Sequence, residues 1–268
     1  MEELLIFAAL VSFVAFLIPG RHSFLAGIAG WVFMVLFLFA EIPYYLSINN
    51  FLYPTLAVVS VPLVWVTAKR LREGDQHVIY LTRAAAAASL VYIPFAYTPL
   101  GDWLIGIVVG QIAWCLTAMG VDYSMFDWNM FWRNGFRVEI ILGCTGIQSM
   151  AIMIGVAAAV PTTLRQKLAA ILLIVPTIYL LNIFRNVFVI VAYTDQWFPY
   201  LTGIAGNGEF GYESFFWSHN VLCELGALVA LVAIAYLLFQ IIPSLGRTAD
   251  ALIGIYRDEI TRAIPRGK

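Results

Sequence analysis

Charged side chains are scarce in this sequence. Asp, Glu, Lys and Arg together make up 12% of its 268 residues, whereas apolar residues make up 62%. A soluble globular chain carries roughly a quarter charged residues, so a soluble domain of this size is excluded. The formal net charge is only −1, and no basic segment offers a surface for nucleic acid. We therefore predict an integral membrane protein without a nucleic-acid partner.

Cysteines are also few, namely Cys115, Cys144 and Cys223. Three cysteines cannot build a disulfide framework, and at least one thiol must remain free. The N-terminus has two acidic residues near its start and lacks the basic start and small-residue cleavage site of a signal peptide. We therefore expect the first apolar segment to be retained as a membrane span.

Long apolar segments fill most of the chain. A helical crossing of a bilayer needs about 20 apolar residues. The candidate segments are 4–18, 24–40, 51–68, 84–98, 102–120, 145–160, 168–193 and 220–243. This pattern predicts an all-α, polytopic integral membrane helical bundle with seven or eight crossings. Three parts are expected: N-terminal membrane helices (1–120), a membrane core that carries the site (121–243) and a cytoplasmic basic tail (244–268).

The distribution of Lys and Arg predicts the orientation, because short loops rich in them stay in the cytoplasm. The turn with Arg165 and Lys167 is predicted to lie inside. Segment 194–218 holds acidic residues but neither Lys nor Arg, so it and segment 121–143 are predicted to lie outside. The tail is predicted to lie inside because of its basic residues, Arg247, Arg257, Arg262, Arg266 and Lys268.

One basic loop conflicts with a simple count of crossings. Residues 69–83 also look cytoplasmic, yet two apolar segments separate them from the outer segment 121–143. Either 84–98, which contains Pro94, or 102–120 is therefore expected to be re-entrant or to lie in the interface. The orientation of the N-terminus depends on which of the two segments fails to cross, so it also stays open.

The stretch Gly143-Cys144-Thr145-Gly146 is the first candidate site, because a thiol there sits between glycines at the start of an apolar helix. The helix dipole and unpaired backbone N–H groups favour a reactive thiolate at such a position. Thr145 and the Gly146 amide are candidate donors to an oxyanion. The alternative is that Cys144 is simply a small buried apolar side chain. That packing role is expected for Cys115 and for Cys223, although Cys223 shares a helix face with His219.

Arg185 is the second candidate, because it lies within a long apolar segment, where a charge costs at least a few kcal/mol. The alternative is an arginine that reaches the lipid headgroups, but Asn182 and Asn186 beside it favour a polar pocket. Cys144 lies 17 residues before Pro161, and Arg185 lies 18 residues after Lys167. At about 1.5 Å per residue, both should sit about 26 Å above the inner turn.

His219 opens the last apolar segment at the same outer edge, so it is predicted to meet Cys144 and Arg185. Beside a thiol and an arginine, a histidine is a candidate general base or acid. Segment 121–143 lies on the same side and carries aromatic and basic residues. It is either a lid that meets substrate or an aromatic belt in the interface. Those residues are Trp128, Trp132, Arg133, Phe136 and Arg137.

Three motifs carry a family resemblance: Cys144-Thr145-Gly146-Ile147, the stretch from Asn182 to Phe188 (Asn-Ile-Phe-Arg-Asn-Val-Phe), and Ser218-His219-Asn220. In this order and context they resemble the exosortase/archaeosortase family of integral membrane transpeptidases, and within it the archaeosortases. The resemblance covers residues 105–238, whereas the first hundred residues match only in hydropathy. The third catalytic position falls on His219 or on its neighbour Asn220.

The resemblance implies a thiol-dependent transpeptidase, a sortase-like cysteine peptidase of an archaeal cell membrane, with its site on the extracellular face. Its expected substrates are exported proteins, such as surface-layer proteins, with a C-terminal Pro-Gly-Phe-like motif, an apolar helix and a basic end. The new C-terminus would pass through a Cys144 thioester to a membrane amino-lipid. Neither a metal nor another cofactor is expected. The implied catalytic residues are Cys144, Arg185 and His219, with Thr145, Gly146, Asn182, Asn186 and Asn220 near substrate or oxyanion.

A transporter or channel is the competing class. Arg185, Asp102, Gln111 and His219 would then line a solute path. The chain shows no inverted repeat, and its polar groups gather at one predicted surface rather than at the midplane. A purely structural membrane scaffold would leave the cost of burying Arg185 unexplained.

Overall fold

A computed structural model describes residues 2–47 and 50–263 of the chain, and most of these are helical. The α-helices there are α1 (Glu2–Phe16), α2 (Ser23–Ala40), α3 (Ile42–Ser47), α4 (Leu52–Arg72), α5 (Gln76–Tyr97), α6 (Leu100–Ala118), α7 (Ile147–Ala159), α8 (Leu164–Thr194), α9 (Thr202–Ala205), α10 (Tyr212–Phe215), α11 (Glu224–Ile241) and α12 (Pro243–Ala263). Three short strands follow α6, a 3₁₀ turn (Leu142–Thr145) precedes α7, and a π-helix (Phe216–Cys223) joins α10 to α11.

Six of the helical segments are long and apolar enough to cross a membrane. They are Ser23–Ser47, Leu52–Arg72, Gln76–Tyr97, Leu100–Ala118, Leu164–Thr194 and Tyr212–Ile241. The short apolar helices α1 and α7 complete the set, so each of the eight predicted apolar segments forms a helix. The prediction of a helical multi-pass membrane protein is thus confirmed, while seven or eight crossings remain a prediction.

The helix α5 differs from its sequence prediction. It begins at Gln76, eight residues before the predicted apolar segment, and it continues through Pro94 to Tyr97. Both α5 and α6 are long enough to cross a bilayer. Their length alone does not decide which of the two crosses, so a re-entrant or interfacial position of one of them stays a prediction.

The chain divides into two compact units. The first unit consists of the residues up to Val91, of Ala151–Ile171 and of the residues from Tyr236 onward. Within it, α2 packs closely on α1 at Gly30, which has no side chain. A Cβ atom at this position would lie only 2.6 Å from the Phe13 ring. The indole of Trp31 donates a hydrogen bond of 3.1 Å to Thr82 on α5. Small residues on α2 thus allow three helices of this unit to approach each other.

Helix α12 docks on the end of α4 through a buried carboxylate. The Glu259 side chain, 4% exposed, accepts hydrogen bonds of 2.6 Å from Lys69 and from Arg70. The hydrogen bond from Lys69, together with the nearby positive charges, holds the pKa of Glu259 below its usual range, although burial opposes this shift. Two basic segments that were both predicted to be cytoplasmic are therefore in contact. Arg266 and Lys268 of the predicted tail lie outside the described residues.

The second unit consists of Tyr92–Met150 and Leu172–Ala235. It contains the strands β1 (Ser124–Asp127), β2 (Met130–Arg133) and β3 (Phe136–Glu139), which form one antiparallel sheet in that order. Asn134 and Gly135 join β2 to β3 with φ angles of +50° and +86°. Asn-Gly is the pair that two-residue hairpin turns favour at positive φ. Segment 121–143 is thus a folded sheet, so the predicted all-α class is wrong for this segment, whose strands of four residues hydropathy did not indicate.

The sheet is fixed to α6 and α8. Phe131 of β2, 1% exposed, joins a buried apolar cluster with Ile112 of α6 and Ile190 of α8. Arg133 donates hydrogen bonds of 2.5 Å to Asp195 and 2.7 Å to Thr194, at the C-terminal end of α8. The sheet is therefore held in place by the buried apolar cluster on one side and by the ion pair between Arg133 and Asp195 at its end.

Candidate active site

A short turn positions Cys144. The chain enters a 3₁₀ turn at Leu142, passes through Gly146 and begins α7 at Ile147. Gly146 has φ of +78°, which glycine adopts without steric cost, and a Cβ atom there would lie 3.2 Å from Asn182. The Thr145 side chain is fully buried, and its hydroxyl donates a 2.7 Å hydrogen bond to the Leu142 carbonyl. In this conformation Thr145 stabilises the turn.

Two asparagines of α8 hold the backbone of Cys144. The side-chain amides of Asn182 and Asn186 donate hydrogen bonds of 2.6 and 2.7 Å to its carbonyl oxygen. Both asparagines are buried, and residues four apart share a helix face. Within the described part of the chain, the hydrogen bonds of Cys144 are made by its backbone, so its sulfur remains available.

Arg185 lies on the same turn of α8 and contacts His219. Its Nη2 is 2.9 Å from Nε2 of His219, and Nδ1 of His219 is 2.8 Å from Oδ1 of Asn220. An amide oxygen only accepts, so we assign the imidazole proton to Nδ1. The free lone pair on Nε2 then accepts the hydrogen bond from Arg185. The ring also stacks on Phe215, with centroids 4.7 Å apart and planes within 12°.

The π-helix brings Cys223 into the same cluster. The Arg185 guanidinium also lies near the sulfur of Cys223, which is 9% exposed. The π-helix spans Phe216–Cys223, and such helices occur often at functional sites. Nδ2 of Asn220 is a buried donor without a partner in the described residues. Cys223, which was expected only to pack, is thus a direct neighbour of Arg185.

The other polar residues named from the sequence lie elsewhere in the second unit. Gln111 lies near Tyr179. Asp102 lines two cavities at the start of α6. Cys115 packs against the apolar cluster of α6, α8 and the sheet, as expected. The sequence missed the contact between Cys223 and Arg185, and the only available signal was the four-residue spacing from His219.

The arrangement suits cysteine chemistry. A thiol on a fixed turn lies next to a helix turn that carries a guanidinium, and an imidazole accepts a hydrogen bond from that guanidinium. Such a set can form and resolve a covalent acyl intermediate. Within residues 2–47 and 50–263, no three His, Cys, Asp or Glu side chains come together in a way that would hold a metal ion.

Removing both asparagines should disturb the position of Cys144. Each single change, Asn182→Ala or Asn186→Ala, leaves one hydrogen bond to the Cys144 carbonyl and should cost about 1 kcal/mol of stability. The double variant leaves that carbonyl unpaired, so its loss should exceed the sum of the two. A misplacement of about 1 Å at a nucleophile can cost about 100-fold in rate. Thermal unfolding in detergent and processing rates would measure both effects.

Gln148→Ala is the matched control for these asparagines. Gln148 lies in the first turn of α7, is exposed, and makes only a long 3.4 Å hydrogen bond to Tyr92. The Gln148→Ala variant should therefore equal the unaltered protein in thermal stability and in processing rate. Strictly additive effects of the two asparagine changes, with full activity in the double variant, would contradict the role assigned to them.

Comparisons with known proteins indicate the family of the chain. The profile of the transmembrane exosortase (EpsH) family matches residues 3–212. Archaeosortase A of Haloferax volcanii is 28% identical over an alignment of 242 positions, which covers 81% of this chain and 80% of the relative. Archaeosortase A of Natronomonas pharaonis is 31% identical over an alignment of 247 positions, which covers 85% of this chain and 78% of the relative. No solved structure matches the chain.

The extent of the family match adds to the sequence interpretation. It begins at residue 3, so the likeness includes the N-terminal helices and is not confined to residues 105–238. It contains Cys144 and Arg185 but ends at residue 212, before His219. The family profile matches most of the chain, two archaeal relatives match it as well, and the fold is that of a helical membrane protein. The chain therefore belongs to the transmembrane exosortase family, with its archaeosortase relatives.

Proposed function

We propose that this enzyme cleaves C-terminal sorting signals of exported proteins and joins each new C-terminus to a membrane amino-lipid through a thioester on Cys144. Family membership supports a membrane-embedded enzyme that processes sorting signals. The thioester, the lipid acceptor and the extracellular face are our additions. The observation that supports the thioester chemistry is the hydrogen bond between Arg185 and His219, on the turn of α8 whose asparagines hold Cys144.

In the first step, the Cys144 sulfur attacks the carbonyl carbon of the scissile peptide bond. Arg185 turns from His219 toward the developing oxyanion, which its N–H groups stabilise. Nε2 of His219 is then free to take the thiol proton and to give it to the leaving amine. A C–S bond forms, the C–N bond breaks, and a thioester remains.

In the second step, the neutral amine of a lipid attacks the thioester carbonyl. His219 takes the proton that the amine loses and passes it to the sulfur of Cys144 as the C–S bond breaks. An amide to the lipid remains, and the enzyme returns to its starting state. The two-step route is the usual logic of cysteine acyl transfer.

The extracellular face is proposed from charge and from substrate geometry. Segment 194–218, which follows α8 directly, has no Lys or Arg. A sorting signal with an apolar helix places the motif before that helix at the outer interface once the protein is exported. A site at the outer end of the helices would meet the motif there. The three-part division at residues 121 and 244 likewise stays a proposal.

Expression with a reporter would test the proposed function. The reporter carries a Pro-Gly-Phe-like motif, an apolar helix and a basic end, and a matched reporter has the motif scrambled. We expect the first reporter alone to lose its C-terminal peptide and to gain the mass of a lipid, as measured by intact mass spectrometry. Cleavage without a lipid adduct would contradict the transfer step, and equal behaviour of both reporters would contradict the substrate class.

A further inference from the structure

Two cavities at the start of α6 share one charged residue. The larger, about 570 Å³, is lined by Asp102, Trp103, Gly106, Ile107 and Trp128. The second, about 470 Å³, is lined by nine residues that include Gly101, Asp102 and Leu142. Asp102 is the one charged side chain among the residues that line either cavity. We call the larger cavity, with its five residues, the Asp102 groove.

The carboxylate of Asp102 has no countercharge. No ion pair or hydrogen bond of its side chain occurs among the described residues, whereas Asp195 in the same unit is paired with Arg133. Asp102 lies in the first turn of α6, where the helix dipole favours a negative charge. An unpaired carboxylate in an otherwise uncharged groove is complementary to a cation.

The indoles beside Asp102 also favour a cationic ligand. Trp103 is 60% exposed and Trp128 is 52% exposed, and both line the groove. The faces of tryptophan rings attract ammonium groups in addition to the attraction of a carboxylate. The groove therefore suits a small ammonium group.

The surroundings of the groove indicate what the ammonium group is attached to. The groove lies along α6, whose next turns expose Trp114, and a Cβ atom at Gly106 or Gly110 would meet open space. An apolar chain can lie along this face of the helix, where it would contact the exposed indole. A membrane lipid provides both an ammonium head group and such a chain.

We propose that the Asp102 groove binds the ammonium head group of an amine-bearing membrane lipid and holds it beside Cys144 as the acceptor of the acyl group. This inference rests on the proposed function. The start of α6 packs on the turn Leu142–Thr145, and Leu142 lines the second cavity two residues before Cys144. The bound ammonium first gives one proton to water. The neutral nitrogen then bonds to the thioester carbon, His219 takes the second proton, and the C–S bond breaks as that proton passes to the sulfur of Cys144.

The test measures how the thioester partitions between lipid and water. The full-length enzyme is reconstituted in phosphatidylcholine vesicles with or without phosphatidylethanolamine and given a sorting-signal peptide. For Asp102→Asn we expect the ratio of lipid-linked to hydrolysed product to fall about tenfold or more, because one charged contact is lost, while cleavage continues. Trp128→Leu should shift the ratio in the same direction, so it tests the inference independently if Asp102→Asn folds poorly.

Asp122→Asn is the matched control, because Asp122 is an exposed acid of the same unit that lines neither cavity. Its product ratio should equal that of the unaltered enzyme. A normal ratio in Asp102→Asn would overturn the inference and leave the proposed function intact. Equal loss of cleavage and transfer would also overturn it, since the groove would then serve the peptide. Absence of cleavage by the unaltered enzyme would instead refute the proposed function.

A binding measurement separates the lipid from other amines. In a Cys144→Ala background, titration with phosphatidylethanolamine should change tryptophan fluorescence, and Asp102→Asn should weaken the apparent affinity about tenfold. Ethanolamine without its apolar chains should bind much more weakly. Stronger competition by a lysine-containing peptide than by the lipid would overturn the choice of a lipid.

Discussion

Replacing Cys144 with alanine is expected to abolish processing of a sorting-signal substrate, with a rate loss of at least about 1,000-fold. The variant removes the sulfur that forms the thioester, whereas the hydrogen bonds of Asn182 and Asn186 to the backbone carbonyl can persist. Cys144→Ser should be nearly as inactive, because a hydroxyl is a much weaker nucleophile than a thiolate. Rates of substrate cleavage in reconstituted membranes would measure the loss.

Cys223→Ala is the critical control for this experiment. Cys223 is a real competitor, because its sulfur lies near the Arg185 guanidinium. It is nevertheless buried within the π-helix, while Cys144 lies on a turn that the neighbouring Gly143 leaves open. We expect Cys223→Ala to keep most of the activity. An inactive Cys223→Ala together with an active Cys144→Ala would reverse the assignment of the nucleophile.

Changing Arg185 to lysine is expected to lower the rate about 100-fold to 1,000-fold, the usual cost of losing a donor to an oxyanion. The guanidinium lies 2.9 Å from Nε2 of His219 and is also near Cys223. It can reach two partners because its donors form a rigid planar fork, and the single ammonium of lysine cannot reproduce that geometry. Single-turnover kinetics would show whether the formation of the thioester is the step that slows.

Arg137→Lys is the matched control for Arg185. Arg137 is exposed on β3 and stacks over the Phe126 ring at 3.8 Å. Its replacement keeps the charge at a surface position, so the rate should change little. Full activity of Arg185→Lys would reduce Arg185 to an anchor of the helix and remove its catalytic role.

The helices could be predicted because burial in lipid requires long apolar segments, and these dominate the sequence. The sheet could not be predicted from hydropathy, since its strands are four residues long and alternate between exposed Trp132 and buried Phe131. A local signal was present in Asn134-Gly135, whose pair of residues favours a hairpin turn. Short strands with such turns are easily hidden among long apolar segments.

The candidate site was predictable only in part. Counting residues along two helices predicted that Cys144 and Arg185 lie at the same level, and the asparagines next to Arg185 do reach the Cys144 carbonyl. The tautomer of His219 and its contact with Asn220 depend on the π-helix. A π-helix changes the angular spacing of side chains, and packing against neighbouring elements decides where it forms. No pattern of apolar residues in the sequence indicates where a π-helix forms.

The hydrogen bond between Arg185 and His219 bears on the enzyme between turnovers. While Nε2 accepts that bond, it has no lone pair for the proton of a thiol, so Cys144 lacks a base. Oxidants and alkylating agents attack thiolates much faster than thiols. Under the proposed mechanism, a substrate carbonyl that draws Arg185 away is also what activates the nucleophile. The resting enzyme would thereby protect its own sulfur from damage in an oxidising medium until a substrate arrives.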